Sequence, residues 1–480
     1  MSISIPTVPL STRKPGTYIA ISTAAARLGL PVSADKLLLI GTQLATATAT
    51  AEVLVQVFSA GQAQLLFGSG SPLALVVEAL LDQSPYLSEV WCCPQDEDGA
   101  AAAASASLST AISSLTAGTL TLYVGNRTVR VAITADDLVA DIAAAISAAL
   151  DADANMPFST AVVSPACNLT AKAKGTGGNG WLLAWEFTGT GLTITPTQPT
   201  GGSGDADIQD ALDVAFPADF DIYVVEYNDA TSLDALDDQL DLLKGPMEMR
   251  PAVGVAGFAG TLSTGTTLSA ARNSGMLAMP YFRGSRTHPS LLAAQVAAEL
   301  GYEADRAKPL NGVVLDALPP DDPADRLSRT EQETALANGL MPIEVGPGGE
   351  AQIVRLISTY VADAFGSDDD TLLDLQTMRV LFYVQYACRY KMQVELAQAK
   401  LADSATTAGT TDPSMARTLL MGVLMQLQDE LGYLERVEDH LDRLVVERDP
   451  SVATRLNATI PADIVDGLHV FAGEIQLILG

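Results

Sequence analysis

The fold is decided by residues 36–94, which carry KLLLIG at 36–41, SPLALVVEALL at 71–81 and EVWCCP at 89–94. KLLLIG and EVWCCP are short, almost unbroken apolar runs, the pattern of strands covered on both faces. SPLALVVEALL places Ser71 at an N-cap and Pro72 at the first helical position, where the missing N–H and fixed φ cost nothing. Strand, helix and strand at this spacing predict a parallel βαβ unit. The expected fold class is α/β with α+β elements. It is multidomain, an α/β core with an inserted mainly-β domain and extended terminal arms.

Towards the N-terminus the pattern changes. Pro6, Pro9 and Pro15 oppose a helix and leave short extended pieces. After Pro15-Gly16 comes a β-like run, Thr17-Tyr18-Ile19-Ala20-Ile21. Residues 1–34 contain no Asp or Glu but contain Arg13, Lys14 and Arg27, in a chain of 480 residues with formal net charge -30. An extended, basic arm (1–20) without a nearby hairpin partner suits pairing with a sheet elsewhere; a frayed terminus has the same pattern. The acidic body, with a pI near 4.2, disfavours nucleic-acid binding. The start of the chain lacks an apolar core of signal-peptide type, and no run of about 18 mainly apolar residues appears despite a mean hydropathy of +0.23. Cys92, Cys93, Cys167 and Cys388 read as reduced, buried thiols.

Downstream, DEDGAAAAASA at 96–106 reads as a linker, and residues 108–200 as a separate unit. Residues 118–124 and 127–133 predict a hairpin about Gly125-Asn126. Thr134 to Asp137 opens a helix in capping-box style, and strands follow at 160–164, 168–172 and 181–188. The Gly/Thr/Pro-rich 189–204 returns the chain to the core. An inserted domain at 105–204 therefore interrupts a core of 21–98 and 205–345. The core resumes with DIYVVEY at 221–227, a helix at 232–243, AVGVAGFA at 252–259, a strand at 275–281 and a helix from 289 to 300.

A C-terminal domain is expected at 346–469. Its AQIVRLIS (351–358) alternates like a strand buried on both faces. After an acidic break at 366–370, a helix is expected from about 371 to 401. That helix carries Arg379, Arg389, Lys391 and Lys400 against a single acid, Glu395, from 375 onward. The chain ends in a strand-like 468–479, and 470–480 reads as a second linking strand.

No constellation for catalysis stands out. GTGGNG at 175–180 fits G-x-G-x-x-G, but the strand-like WLLAWEF follows instead of a helix, so it reads as a flexible hairpin loop. The segment 260–265 lacks the Lys of a phosphate-binding loop. His288, His440 and His469 have no ligand partner at helical or turn spacing. The expectation is no enzyme, cofactor or metal. An enzyme on the α/β core would need a pocket with perturbed acids.

Taken in order, several segments resemble a contractile phage tail sheath protein of the Mu-like branch. They include KPGTYIAI (14–21), GQAQLLFGSGSPLALVVEAL (61–80), GTLTLYVGNRTVRVAI (118–133) and YNDATSLDALDDQL (227–240). The run RLISTY (355–360), TLLDLQTMRVLFYV (371–384) and KLAD (400–403) is similar too, as is VVERDPSVATRLNATIPADIVDGLHVFAGEIQLIL (445–479). The resemblance implies stacked hexameric rings around a tail tube, linked by terminal arms that add strands to neighbouring subunits. It implies linking roles for Thr17, Tyr18, Ile19, Ile21, Ile475, Leu477 and Leu479; beside it, the basic Arg379, Arg389, Lys391 and Lys400 read either as tube-facing residues or as a solvated helix face. The implied partners are further copies of the chain, the tube protein, and baseplate and terminator proteins. No nucleic acid and no membrane binding by itself are expected. The implied location is the virion tail, assembled in the bacterial cytoplasm. A different self-assembling shell protein is the main rival.

Overall fold

A computed structural model of the chain describes residues 35–478 except 88, 405, 406 and 408. Thr17, Tyr18, Ile19, Ile21 and Leu479 lie outside the described residues. The described residues belong to one compact unit.

The core is a six-stranded sheet. Five parallel strands run in the spatial order Leu277–Ala278, Val253–Ala256, Ile222–Val225, Leu37–Thr42 and Val90–Gln95, with Val55–Gln56 antiparallel at the edge. Numbered along the chain, the parallel strands lie 2-1-3-4-5, a doubly wound order that reverses between Leu37–Thr42 and Ile222–Val225. The LLLI run explains itself. Leu37 and Leu39 face one cluster with the Pro72–Gln83 and Pro289–Tyr302 helices, while Leu38 and Ile40 face another with Ile208–Ala215 and Ala230–Lys244. A strand buried on both faces has no polar side to alternate with. Ser71 caps its helix as expected, its hydroxyl accepting from Ala74 N at 3.2 Å.

Residues between Gln95 and Ile208 leave and rejoin this core. They form a four-stranded antiparallel sheet (Leu192–Thr200, Ala103–Ile112, Ala166–Lys174, Phe158–Val163) and a three-stranded one (Arg127–Ile133, Gly118–Val124, Leu183–Phe187). The Val139–Asp151 helix packs against them through Ile142, Ile146 and Leu150. The hairpin at Gly125-Asn126 is present, with Gly125 at φ 59°. Both expected linkers are corrected. Ala103–Ile112 and Leu192–Thr200 pair with each other as strands, because their small Ala, Ser and Thr side chains alternate buried and exposed. Composition hides that period of two.

The expected strand at 275–281 is two short pieces, Leu277–Ala278 in the core sheet and Pro280–Tyr281 in a second sheet with Met341–Val345, Ala351–Ile353 and Val314–Leu315. The expected strand through Ser358 stops at Ile353. Beyond it, buried Ser358 and Thr359 spend their N–H groups on Leu373 O and Leu277 O. Arg355 reaches Asp374 with two nitrogens, at 2.8 and 2.7 Å. That pairing occupies the carboxylate at the N-cap of the long helix, which starts at Leu375 and not at 371, with no side-chain cap. It ends at Leu396; Lys400–Leu401 pairs with Thr410–Thr411 instead. The Pro413–Asp429 helix and a hairpin of Val445–Arg448 and Leu456–Thr459 follow. Residues 465–478 hold no strand.

Candidate functional site: assembly surfaces and a strand-end cavity

The four basic residues expected to face the tube have different surroundings. Arg379 is 4% exposed; it donates to Asp35 Oδ2 at 2.8 Å and to Leu300 O at 2.9 Å. Arg306 pairs with the other oxygen of Asp35. Arg379 therefore joins the helix to the core, and its expected tube-facing role is corrected. Its position among Val380, Tyr383 and Val384 on the buried face is the reason. Arg389 donates to Met249 O at 3.0 Å, Lys391 pairs with Glu395 at 3.1 Å, and Lys400 is exposed beyond the helix. Tyr386, Tyr390 and Val394, four residues apart, form an exposed stripe beside them. This half of the helix presents cations and apolar side chains together.

The C-terminal segment is a second surface. Val465 N bonds to Tyr433 O, Ile464 bridges Leu434, and His469 lies 2.8 Å from Asn311 Nδ2 and 3.4 Å from Asp374. Past that anchor the apolar side chains point to water: Phe471 is 87% exposed, Ile475 100% and Leu477 83%. Burying each such side chain is worth about 1.5–3 kcal/mol. A nearby two-stranded hairpin, Val445–Arg448 with Leu456–Thr459, has no third strand on either edge among the described residues. Isolated two-stranded sheets are marginal and open to strand addition.

The similarity runs the length of the chain. A tail sheath protein from the Mu-like prophage FluMu of Haemophilus influenzae is 29% identical over 492 aligned residues, covering all of both chains. The chain is a homologue of a Mu-like prophage tail sheath protein. No protein-family model matches it. A sheath tail protein from Listeria innocua has the same fold, with a TM-score of 0.50 at 13% identity over 92% of this chain and 95% of that one. A sheath tail protein from Desulfitobacterium hafniense superposes at 0.49 with 13% identity, over 90% of this chain and 94% of that one.

One feature of this sheath homologue is not visible in its sequence. At the carboxyl ends of the parallel strands lies a cavity of about 520 Å³, lined among others by Gly177, Glu226, Asn228, Phe258, Tyr281 and His288. This is the end of a doubly wound sheet where crevices form. The G-x-G-x-x-G loop closes over it. Far from being a flexible hairpin loop, Thr176–Gly180 is a 3₁₀ turn pinned to Asp205 through Thr176 (2.6 and 2.5 Å) and to Gly202 through Asn179 (2.8 and 2.9 Å). His288 donates from Nε2 to Gly177 O at 2.8 Å and accepts at Nδ1 from Ser290 N, while Trp181 stacks on its ring at 4.7 Å. Burial pushes its pKa down to about 4, so it is neutral. Glu226 is buried; its Oε2 accepts from Thr42 N at 2.7 Å. Burial raises its pKa to about 7, and Asp205 adds to the rise. Both imidazole nitrogens are committed to structural bonds, and the described residues contain no cluster of His, Cys, Asp and Glu able to hold a metal. No helix is long and apolar enough to cross a membrane among the described residues.

Proposed function

We propose that the chain is the structural subunit of a contractile tail sheath. Its copies form hexameric rings that stack around a tail tube and contract to drive the tube through the host envelope. The observation that carries this reading is the end-to-end similarity to the Haemophilus sheath protein. The exposed apolar tail supports it, since such a tail needs a partner. The protein acts without catalysis, in the phage tail, after assembly in the host cytoplasm. Its partners are further copies, the tube protein, and baseplate and terminator proteins. Nucleic acid and membrane are not bound by the sheath itself.

Ile475, Leu477 and Leu479 add a strand to a neighbour's sheet, and the open hairpin at 445–459 is the acceptor that best fits. Thr17, Tyr18, Ile19 and Ile21 do the same from the other end of the chain. Negative-stain microscopy of the purified protein is the first test. Tubes of stacked hexamers support the sheath; closed shells or flat lattices support another shell protein. Truncation after residue 469 is expected to abolish tubes while leaving a folded protein with an unchanged thermal transition, because the apolar side chains it removes are exposed. Persistent tubes remove the strand-addition role of the tail.

Arg389, Lys391 and Lys400 contact an acidic tube surface through weak, screened pairs that break on contraction. The double reversal Lys391→Glu and Lys400→Glu is expected to weaken tube co-sedimentation about tenfold at low salt, with self-assembly unchanged. Equal co-sedimentation of the variant and the parent would remove this contact. Arg389 is left intact in that test, because its bond to Met249 O is structural.

A further inference from the structure

Glu226 is 9% exposed, and its hydrogen bonds among the described residues come from one residue, Thr42. Oε2 accepts from Thr42 N, whereas Oε1 faces Gly177, on whose Cα an added methyl would stand 2.9 Å from it. Both residues line the cavity. The charged group acting on the carboxylate is another acid, Asp205. The arginine of the cavity rim does not serve it. Arg283 is saturated by Glu331, Asp325 O and Arg326 O. A buried acid that lines a cavity, bonded by Thr42 alone and without a cation among the described residues, calls for an explanation in the cavity.

The walls are specific in kind. Phe258, Tyr281 and Phe282 supply aromatic surface, and Asn228 spends its amide N–H on Gly257 O at 3.1 Å, which leaves its carbonyl oxygen as an acceptor. Carboxylate, amide oxygen and aromatic rings together favour a cation with N–H donors on an apolar stem. The volume of about 520 Å³ holds a chain of several carbons. An anion would meet Glu226 in the lining, and a wholly apolar guest would leave Glu226 without a counter-charge.

We propose that this cavity binds a primary alkylammonium group, with Glu226 as its counter-ion and Phe258, Tyr281 and Phe282 around its stem. The site stands on the structure of the single chain and does not rest on the sheath reading. The same chemistry comes from two sources, a free aliphatic diamine or a lysine of another copy. Neither source alters the role of Glu226.

Calorimetric titration of the full chain with 1,5-diaminopentane tests the site, with 1,5-pentanediol as the uncharged control. Saturable binding of the diamine with a dissociation constant below about 1 mM, none of the diol, and at least tenfold weaker binding by Glu226→Gln are expected. The Gln side chain keeps the acceptor for Thr42 N and removes a buried charge, so this variant folds. Absence of diamine binding to the parent, equal binding by Glu226→Gln, or equal binding of the diol each overturn the proposal. Carbodiimide coupling of assembled particles then separates the sources. A Glu226–lysine isopeptide between copies identifies a lysine, and its absence alongside diamine binding identifies the free amine. Failure of tubes to form would count against the sheath reading and leave this titration unaffected.

Discussion

Asp35→Ala is expected to lower the free energy of unfolding by roughly 3–5 kcal/mol. The reason is what remains behind. Asp35 is 6% exposed and accepts from Arg306 and Arg379 at once. Its removal leaves two guanidinium groups, one of them 4% exposed, without the carboxylate they donate to and with only the more distant Asp221 and Glu303 as opposite charge. Leu300 O still accepts from Arg379, which is too little to offset an unpaired cation. Arg379→Met is expected to cost less, since Asp35 keeps Arg306 and the methionine fills similar space. The three residues lie at the entry to the first core strand, after the Pro289–Tyr302 helix and in the Leu375–Leu396 helix. Urea unfolding monitored by helix content and by tyrosine fluorescence checks the prediction. If Asp35→Ala and Arg379→Met cost the same, or neither exceeds about 1 kcal/mol, the cluster does not hold the long helix to the core.

Glu226→Gln is expected to stabilise the protein above neutral pH, by on the order of 2–3 kcal/mol, and to change little below about pH 4.5. The sign follows from the raised pKa. Glu226 titrates near 7 when folded and near 4.5 when unfolded, so the native state holds its proton more tightly. Its contribution is fully present below about pH 4.5, falls as pH rises to about 7, and is flat beyond. Asp221, pushed up to about 6 by burial and by Asp35, acts in the same direction over a lower window. His288 acts oppositely. Its pKa is depressed to about 4, so its contribution is present above 6.5 and is lost as pH falls towards 4. The difference between variant and parent isolates Glu226, because Asp205, Asp221, Tyr227 and His288 are common to both. Thermal transitions from about pH 4 to 8 measure it. A constant difference across that range would show that Glu226 does not titrate there.

Much of the architecture is legible from local pattern. KLLLIG and EVWCCP are apolar on both faces, and Ser71-Pro72 marks a helix start, so the parallel unit follows from burial and capping alone. The helix at 289–302 is legible for the same reason, with His288 providing its cap. The strands Ala103–Ile112 and Leu192–Thr200 escape such reading because alanine, serine, threonine and proline blur the difference between a linker and a half-buried strand. Arg379 escapes it because a basic residue on a helix reads as exposed unless its partner is known, and Asp35 lies 344 residues away. Glu226 escapes it for a similar reason. An acid after VV at a strand end has no local mark of burial, and the loop that covers it arrives from 49 residues earlier.

By itself, then, the order of apolar runs, caps and turns determined the α/β core and the sheath-like succession of segments, because these follow from short-range periodicity and chain order. Only the tertiary structure decided which charges are spent internally, where a buried carboxylate meets a cavity, and how much apolar side chain the C-terminal tail leaves in water. Those depend on contacts between residues far apart along the chain, and solvation and pairing there are set by the packed surroundings and not by the residue type.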